Sequence, residues 1–144
     1  MKKMIVKKNR ILIIGQPMTN PFNDSLKFMT ASGQSVDTKN TKLFKLYLSL
    51  IKEEYGELRD AVKAKDEVET LDALIDILVV TIGAAHAMGY DAEGAWNEVM
   101  KTNFAKIDPE TGSVRRREDG KILKPEGWKA PELAPFLTRA VNDK

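Results

Sequence analysis

The sequence predicts a mainly α protein: two long antiparallel helices forming half of a helical bundle, with a small C-terminal β-hairpin. Three observations predict it. Apolar residues recur at spacings of three and four from Lys42 to about Lys65, and the pattern resumes from about Glu67 to Met88 after a short break. Breakers are sparse within those two stretches and dense outside them. Near the C-terminus, Asp119-Gly120 stands between two short segments, the signature of a hairpin turn. A length of 144 residues suits one domain, 1–144, with 1–20 as an N-terminal extension and 109–144 as hairpin and tail.

Composition narrows the function classes. The apolar share is 42% and the charged share 31%, which is ordinary for a folded globular chain. Lys and Arg number 23 against 21 Asp and Glu, so bulk charge makes no case for nucleic acid as a partner. The absence of cysteine excludes disulfides, a thiol nucleophile and thiolate metal sites. It fits a reducing compartment, and a cytoplasmic location is the expectation. The apolar run Ile11–Ile14 is too short for a signal-peptide core. No stretch approaches the roughly 18 apolar residues of a membrane span, so no membrane partner is expected.

The elements follow in order. Residues 1–20 hold a short apolar run with strand character, ending in the breaker-rich "GQPMTNP". Gly15 there is no phosphate loop, because no glycine-rich cradle follows. "FNDSLKFMTASG" predicts a first helix closed by Gly33, and "QSVDTKNTK" a polar linker. The first long helix runs from Lys42 to the break at "KAKD". The second runs to Met88 and stops at Gly89. "DAEGAWNEVMKTNFAKI" predicts a further helix with Asp91 as its N-cap. The tail "EGWKAPELAPFLTRAVNDK" is punctuated by proline, and its end is expected to be mobile.

Carboxylates sit where the core should be. On a wheel of about 100° per residue, Leu43, Leu46, Tyr47, Leu50, Leu58 and Ala61 share one arc. Glu54 falls near its middle, Glu57 just inside its edge and Glu53 at its rim. On the second long helix, Glu69, Asp72 and Asp76 form one stripe that continues through Val80, Gly83 and Ala87. Asp76 lies inside "LDALIDILVVTIGAA", which is apolar on nearly every side. An unpaired ionised carboxylate there costs several kcal/mol.

The nearby cations do not neutralise this charge, since Lys45, Lys52, Arg59, Lys63 and Lys65 mostly fall outside the apolar arc. Facing carboxylates of this kind call for a hard cation. Oxygen-only donors favour Mg²⁺ or Mn²⁺ over zinc. Mg²⁺ also binds phosphates, which points to a phosphorylated small molecule as substrate. His86, the one histidine, reads as a core or helix-end residue rather than a ligand. The chain lacks the Glu-x-x-His pairs of di-iron bundles.

At these residues the chain resembles the all-α nucleoside triphosphate pyrophosphohydrolase superfamily. That group includes MazG-like enzymes, dimeric dUTPases and phosphoribosyl-ATP pyrophosphohydrolases. Its Glu-Glu-x-x-Glu and Glu-x-x-Asp motifs read here as Glu53-Glu54-Tyr55-Gly56-Glu57 and Glu69-Thr70-Leu71-Asp72. The likeness extends to "KFMTASGQSV", "DALIDILVVTIGAAHAMGYD", "EVMKTNFAKID" and "DGKILKPEGW", about residues 25 to 132. It is greatest for small, often phage-borne members resembling phosphoribosyl-ATP pyrophosphohydrolase.

One departure leaves the second motif open. In many members the aspartate heads an apolar run, the place of Asp76 here, yet Ala73 stands three residues before it. Either Asp72 substitutes, a turn earlier, or Glu69 and Asp72 are the motif and Asp76 an extra acid. The resemblance implies Mg²⁺-dependent cleavage of a nucleoside triphosphate between its α and β phosphorus atoms. It implies Glu54, Glu57, Asp72 and Asp76 as metal ligands, with Glu69 in or near that set. Glu53 and Glu54 are the catalytic candidates, Glu53 to orient or deprotonate the attacking water. Asn103 and Lys106 match the family's Asn-x-x-Lys and are expected on substrate phosphates or sugar. Lys121 and Lys124 are candidates for added phosphate contacts, though with Arg115 to Arg117 they read first as solvated hairpin charges. The superfamily completes its bundle by oligomerisation, so a homodimer or homotetramer is implied. The rival readings are phosphoribosyl-ATP hydrolysis in histidine biosynthesis and a non-catalytic, metal-binding helical interaction module.

Overall fold

A computed structural model describes residues 4–7, 10–13 and 20–139. Strands β1 (Met4–Lys7) and β2 (Arg10–Ile13) pair antiparallel, from Met4 opposite Ile13 to Lys7 opposite Arg10. The expected strand character near the N-terminus is present. The breaker stretch from Gly15 to Thr19 and the last five residues of the tail lie outside the described residues.

Four helices follow, each opened by a side-chain cap. Helix α1 (Pro21–Ala31) starts one residue before the predicted segment, because proline suits a first helical position and Asn20 Oδ1 accepts from Phe22 N–H at 2.8 Å. Asn40 caps α2 (Thr41–Ala64) at Leu43 N–H, 3.0 Å. The break before α3 (Glu67–Ala87) is only two residues. Lys65 takes the left-handed conformation (φ 57°), and Asp66 accepts from Val68 and Glu69 N–H. Asp91 caps α4 (Ala92–Phe104) at Gly94 N–H, 2.9 Å. Helix α4 ends three residues earlier than predicted. Lys106 and Ile107 N–H bond to Asn103 and Phe104 C=O, tightening the chain into a turn.

The tight turn folds α3 back along α2, and these two helices make the most extensive packing in the chain. Their register is fixed by an aromatic ring on a glycine. A Cβ at Gly83 would lie 2.3 Å from Tyr47 Cε1, so only hydrogen fits there. The Tyr47 hydroxyl donates to Gln34 Oε1 at 2.7 Å, tying the α1–α2 linker to the same point. Met29, Val36, Tyr47, Val80, Ala84 and Ala87 form the core, with Leu43, Phe44, Leu50 and Ile51 packed on it. Leu46, placed by the wheel on the same arc, is half exposed. Helix α2 meets α3 along one seam, and that seam is narrower than the arc.

Where the sequence predicts a C-terminal hairpin, Arg117 N–H donates to Lys121 O and Leu123 N–H to Arg115 O, around Gly120 at φ 84°. The pairing consists of isolated bridges, Ile107 with Val114 and Arg116 with Ile122, and no strand forms there among the described residues. The tail then makes a short 3-10 turn, Ala134–Phe136, against α4. Arg139 N–H donates to Gly89 O at 2.9 Å and its guanidinium pairs with Asp37. No single described helix is long and apolar enough to cross a membrane.

Candidate acidic site on the α2–α3 seam

Glu54 is the point where the acidic motif meets the helix pair. It is half-buried on α2, its Oε2 has no contact with solvent, and that oxygen has no hydrogen-bond partner. Burial pushes the Glu54 carboxyl above its ordinary value of 4.5, and the charges of Glu57, Asp76 and Glu53 push the same way. Glu57 from the same helix and Asp76 from the facing one lie near enough to act on the charge of Glu54, but Glu57, placed by the wheel inside the apolar arc, is exposed because the seam is narrower than that arc. The degree of burial differs among them. Asp76 is half-buried, whereas Glu53 and Glu57 are exposed.

Glu69 and Asp72 stand further from this cluster. Both are exposed, and along the α3 axis they lie about 10 and 6 Å before Asp76, at 1.5 Å per residue. Among the described residues, no Lys or Arg makes a salt bridge to any of these six acids. Nor do three or more His, Asp or Glu side chains there converge closely enough to hold a metal ion. The chemistry of the donor set still fits a hard divalent cation: the oxygens are all carboxylate, and one of them is buried without a donor. A cation near Glu54 would supply the positive charge that the described residues do not.

The candidate substrate residues form a second locus. Lys106 Nζ donates to Asn103 Oδ1 at 2.9 Å, so the two residues matched to Asn-x-x-Lys act as a pair. They lie at the C-terminal end of α4. That helix packs on α3 and on the 134–136 turn, and has no comparable packing with α2. Among the described residues no hydrogen bond or salt bridge joins this pair to the acids of the seam.

Sequence reasoning missed Trp128. Its indole N–H donates to Thr102 O at 2.7 Å, and Lys106 and Lys124 Nζ lie 5.1 and 4.6 Å from its ring centroid. It stood unremarked within the quoted "DGKILKPEGW" and "EGWKAPELAPFLTRAVNDK", and its partner on α4 is 26 residues away. Periodicity carries no signal over such a separation.

His86 is buried to 2% exposure, and its Nε2–H donates to Phe22 O at 3.0 Å. It joins α3 to α1 as a core histidine, as the sequence predicts. Burial lowers its pKa from 6.5, so the ring is held neutral.

Comparison with known proteins shows the family of the chain. A family model described as phosphoribosyl-ATP pyrophosphohydrolase matches residues 27–103, more than half of the chain. That span runs from α1 through the acid-bearing helices to Asn103. An uncharacterized protein of Acanthamoeba polyphaga mimivirus is 41% identical over 71 residues, which cover 48% of this chain and 28% of the viral protein. The chain thus spans little more than a quarter of that relative.

Proposed function

The chain belongs to the phosphoribosyl-ATP pyrophosphohydrolase family, and from that premise we propose that it hydrolyses nucleoside triphosphates between the α and β phosphorus atoms. Water adds to the α phosphorus, the bridging oxygen leaves with the β phosphorus, and the products are a nucleoside monophosphate and pyrophosphate. The observation that carries this reading is the orphaned Oε2 of Glu54, ringed by Glu57, Asp76 and Glu53. Such a group is costly unless a cation joins it.

In this reading Glu54, Glu57 and Asp76 hold Mg²⁺, for which Mn²⁺ can substitute, with Asp72 and Glu69 extending the ligand set along α3. When bound, the metal neutralises charge building on the phosphates. Glu53, exposed beside Glu54, orients the attacking water and accepts its proton. Asn103 and Lys106 bind substrate phosphate or sugar. Residues 1–144 act as one domain, with 109–139 folding back onto α4 and Gly89.

A second copy completes the bundle. Leu71, Leu74, Ile75, Leu78 and Val79 on α3 are 45–62% exposed, a stripe at helical spacing that nothing among the described residues covers. A homodimer, or a homotetramer built from it, would bury that stripe. It would also offer Asn103 and Lys106 of one copy a route to the acids of another.

The test is pyrophosphate release from a panel of NTPs and dNTPs, with and without Mg²⁺. The expected result is metal-dependent release that Glu57→Ala and Asp76→Ala each abolish while helical circular dichroism is retained. Turnover persisting in both variants would overturn the site. A second reading, hydrolysis of phosphoribosyl-ATP, is favoured by the description of the matched family, so that compound belongs in the panel. Release from no substrate would leave the non-catalytic metal-binding module.

A further inference from the structure

Trp128 lies under two ammonium groups and bears on the chemistry of the α4 terminus. Its indole N–H is committed to Thr102 O, which fixes the ring against the last turn of α4. Lys106 reaches it from α4 and Lys124 from the hairpin segment, at 5.1 and 4.6 Å from the centroid. Both Nζ atoms lie at cation–π distance, where an indole face attracts an ammonium. Neither lysine makes a salt bridge among the described residues, and the one side-chain hydrogen bond involving either goes to the neutral Asn103 amide. The ring thus gathers two like charges, one from the end of α4 and one from the hairpin segment, and among the described residues no carboxylate lies within salt-bridge distance of either.

A cavity of about 460 Å³ borders the ring, lined by Trp128, Lys101 and Lys129 and also by Glu98, Glu126 and Glu132. A neighbouring one of about 330 Å³ is lined by Lys106 and Arg115 with Asp108 and Glu110, and Lys124 lines neither, standing over the ring outside both. We propose that Lys106 and Lys124, held in place by Trp128, form a clamp for a polyphosphate anion. This deepens the function proposed above and rests on it for the identity of the anion, the phosphate chain of the nucleotide or its pyrophosphate product. The aromatic ring is not the seat of the base, because its π surface is already engaged by the two ammonium groups. Trp128 is a positioning residue, and the two lysines are the groups that touch phosphate.

The probe is inorganic pyrophosphate added to the full-length, metal-free protein carrying Trp96→Phe. That change leaves Trp128 as the only indole, since the chain has two. Saturable change in Trp128 fluorescence is expected, weakening as salt rises. Lys124→Gln and Lys106→Gln should each weaken binding on the order of tenfold, the loss of one charged hydrogen bond, and Lys124→Arg should restore most of it. Melting temperatures identify any variant that fails to fold. Trp128→Phe, followed by titration calorimetry because it removes the reporting indole, keeps a ring but not its N–H and should weaken pyrophosphate binding while leaving both lysines in the chain.

No saturable signal, or Gln variants that bind like the parent, would overturn the clamp. This titration and the substrate panel, both run on protein with every acid of the seam intact, separate the two proposals. Pyrophosphate binding without hydrolysis of any substrate upholds the clamp and removes the pyrophosphohydrolase reading. Hydrolysis whose KM is unmoved by Lys124→Gln does the reverse.

Discussion

At Glu54, burial and three neighbouring carboxylates act in the same direction, against ionisation. A raised folded-state pKa means that the stability Glu54 contributes is fully present below its ordinary 4.5 and is lost as pH rises through the folded value. Metal-free protein should therefore gain stability at pH 7–8 from Glu54→Gln, read as a higher urea midpoint. Added Mg²⁺ should raise the midpoint of the parent and not that of the variant. His86 gives the opposite sign. Its lowered pKa means that stability is complete above about 6.5 and falls as pH drops from there towards the folded value. Because it is the single histidine, its imidazole proton signals need no assignment. An NMR titration should place its folded pKa below 6.5, and a value at or above 6.5 would contradict its burial.

The helices are held in register by small residues as much as by large ones. Gly83 sits under the Tyr47 ring, so Gly83→Ala should cost about 1–3 kcal/mol by overpacking, measured by urea denaturation. The α2–α3 turn offers the converse. Lys65 occupies the left-handed region at φ 57° with its N–H bonded to Val62 O, a place glycine fills without strain. Lys65→Gly should raise stability by up to about 1 kcal/mol, the steric cost of a Cβ in that conformation. Helix α3 divides its apolar surface between two duties. Ala73, Val80, Ala84 and Ala87 are buried, while Leu71, Leu74 and Leu78 are left outside. Near-continuous apolarity along "LDALIDILVV" thus marks a helix with two packing faces, of which one chain covers one.

For the whole molecule, an uncovered apolar stripe predicts association. Light scattering should give at least twice the mass of one chain, and Leu78→Asp should shift the population towards monomer without loss of helicity. The helical architecture was legible because caps, breakers and three-four periodicity are local properties. Asn40, Asp66 and Asp91 each cap a helix that the pattern placed. The acids of the seam were legible for the same reason, since a carboxylate on an apolar arc conflicts with its surroundings in any helical geometry. The C-terminal segment was less so. Its turn was marked by Asp119-Gly120, but whether flanking residues form a ladder or isolated bridges depends on contacts that have no periodic signal.

The sequence by itself determined the four helices, the conflict of charge at Glu54, Glu57 and Asp76, and the core role of His86. Each follows from neighbours within a few turns of the same chain. Only the tertiary structure decided which acid is buried, that Glu69 and Asp72 remain exposed along α3, and that Trp128 gathers Lys106 and Lys124. Those outcomes depend on how far one helix slides and turns against another, and on where a distant segment lands. Packing of whole surfaces sets both, and no local pattern encodes them.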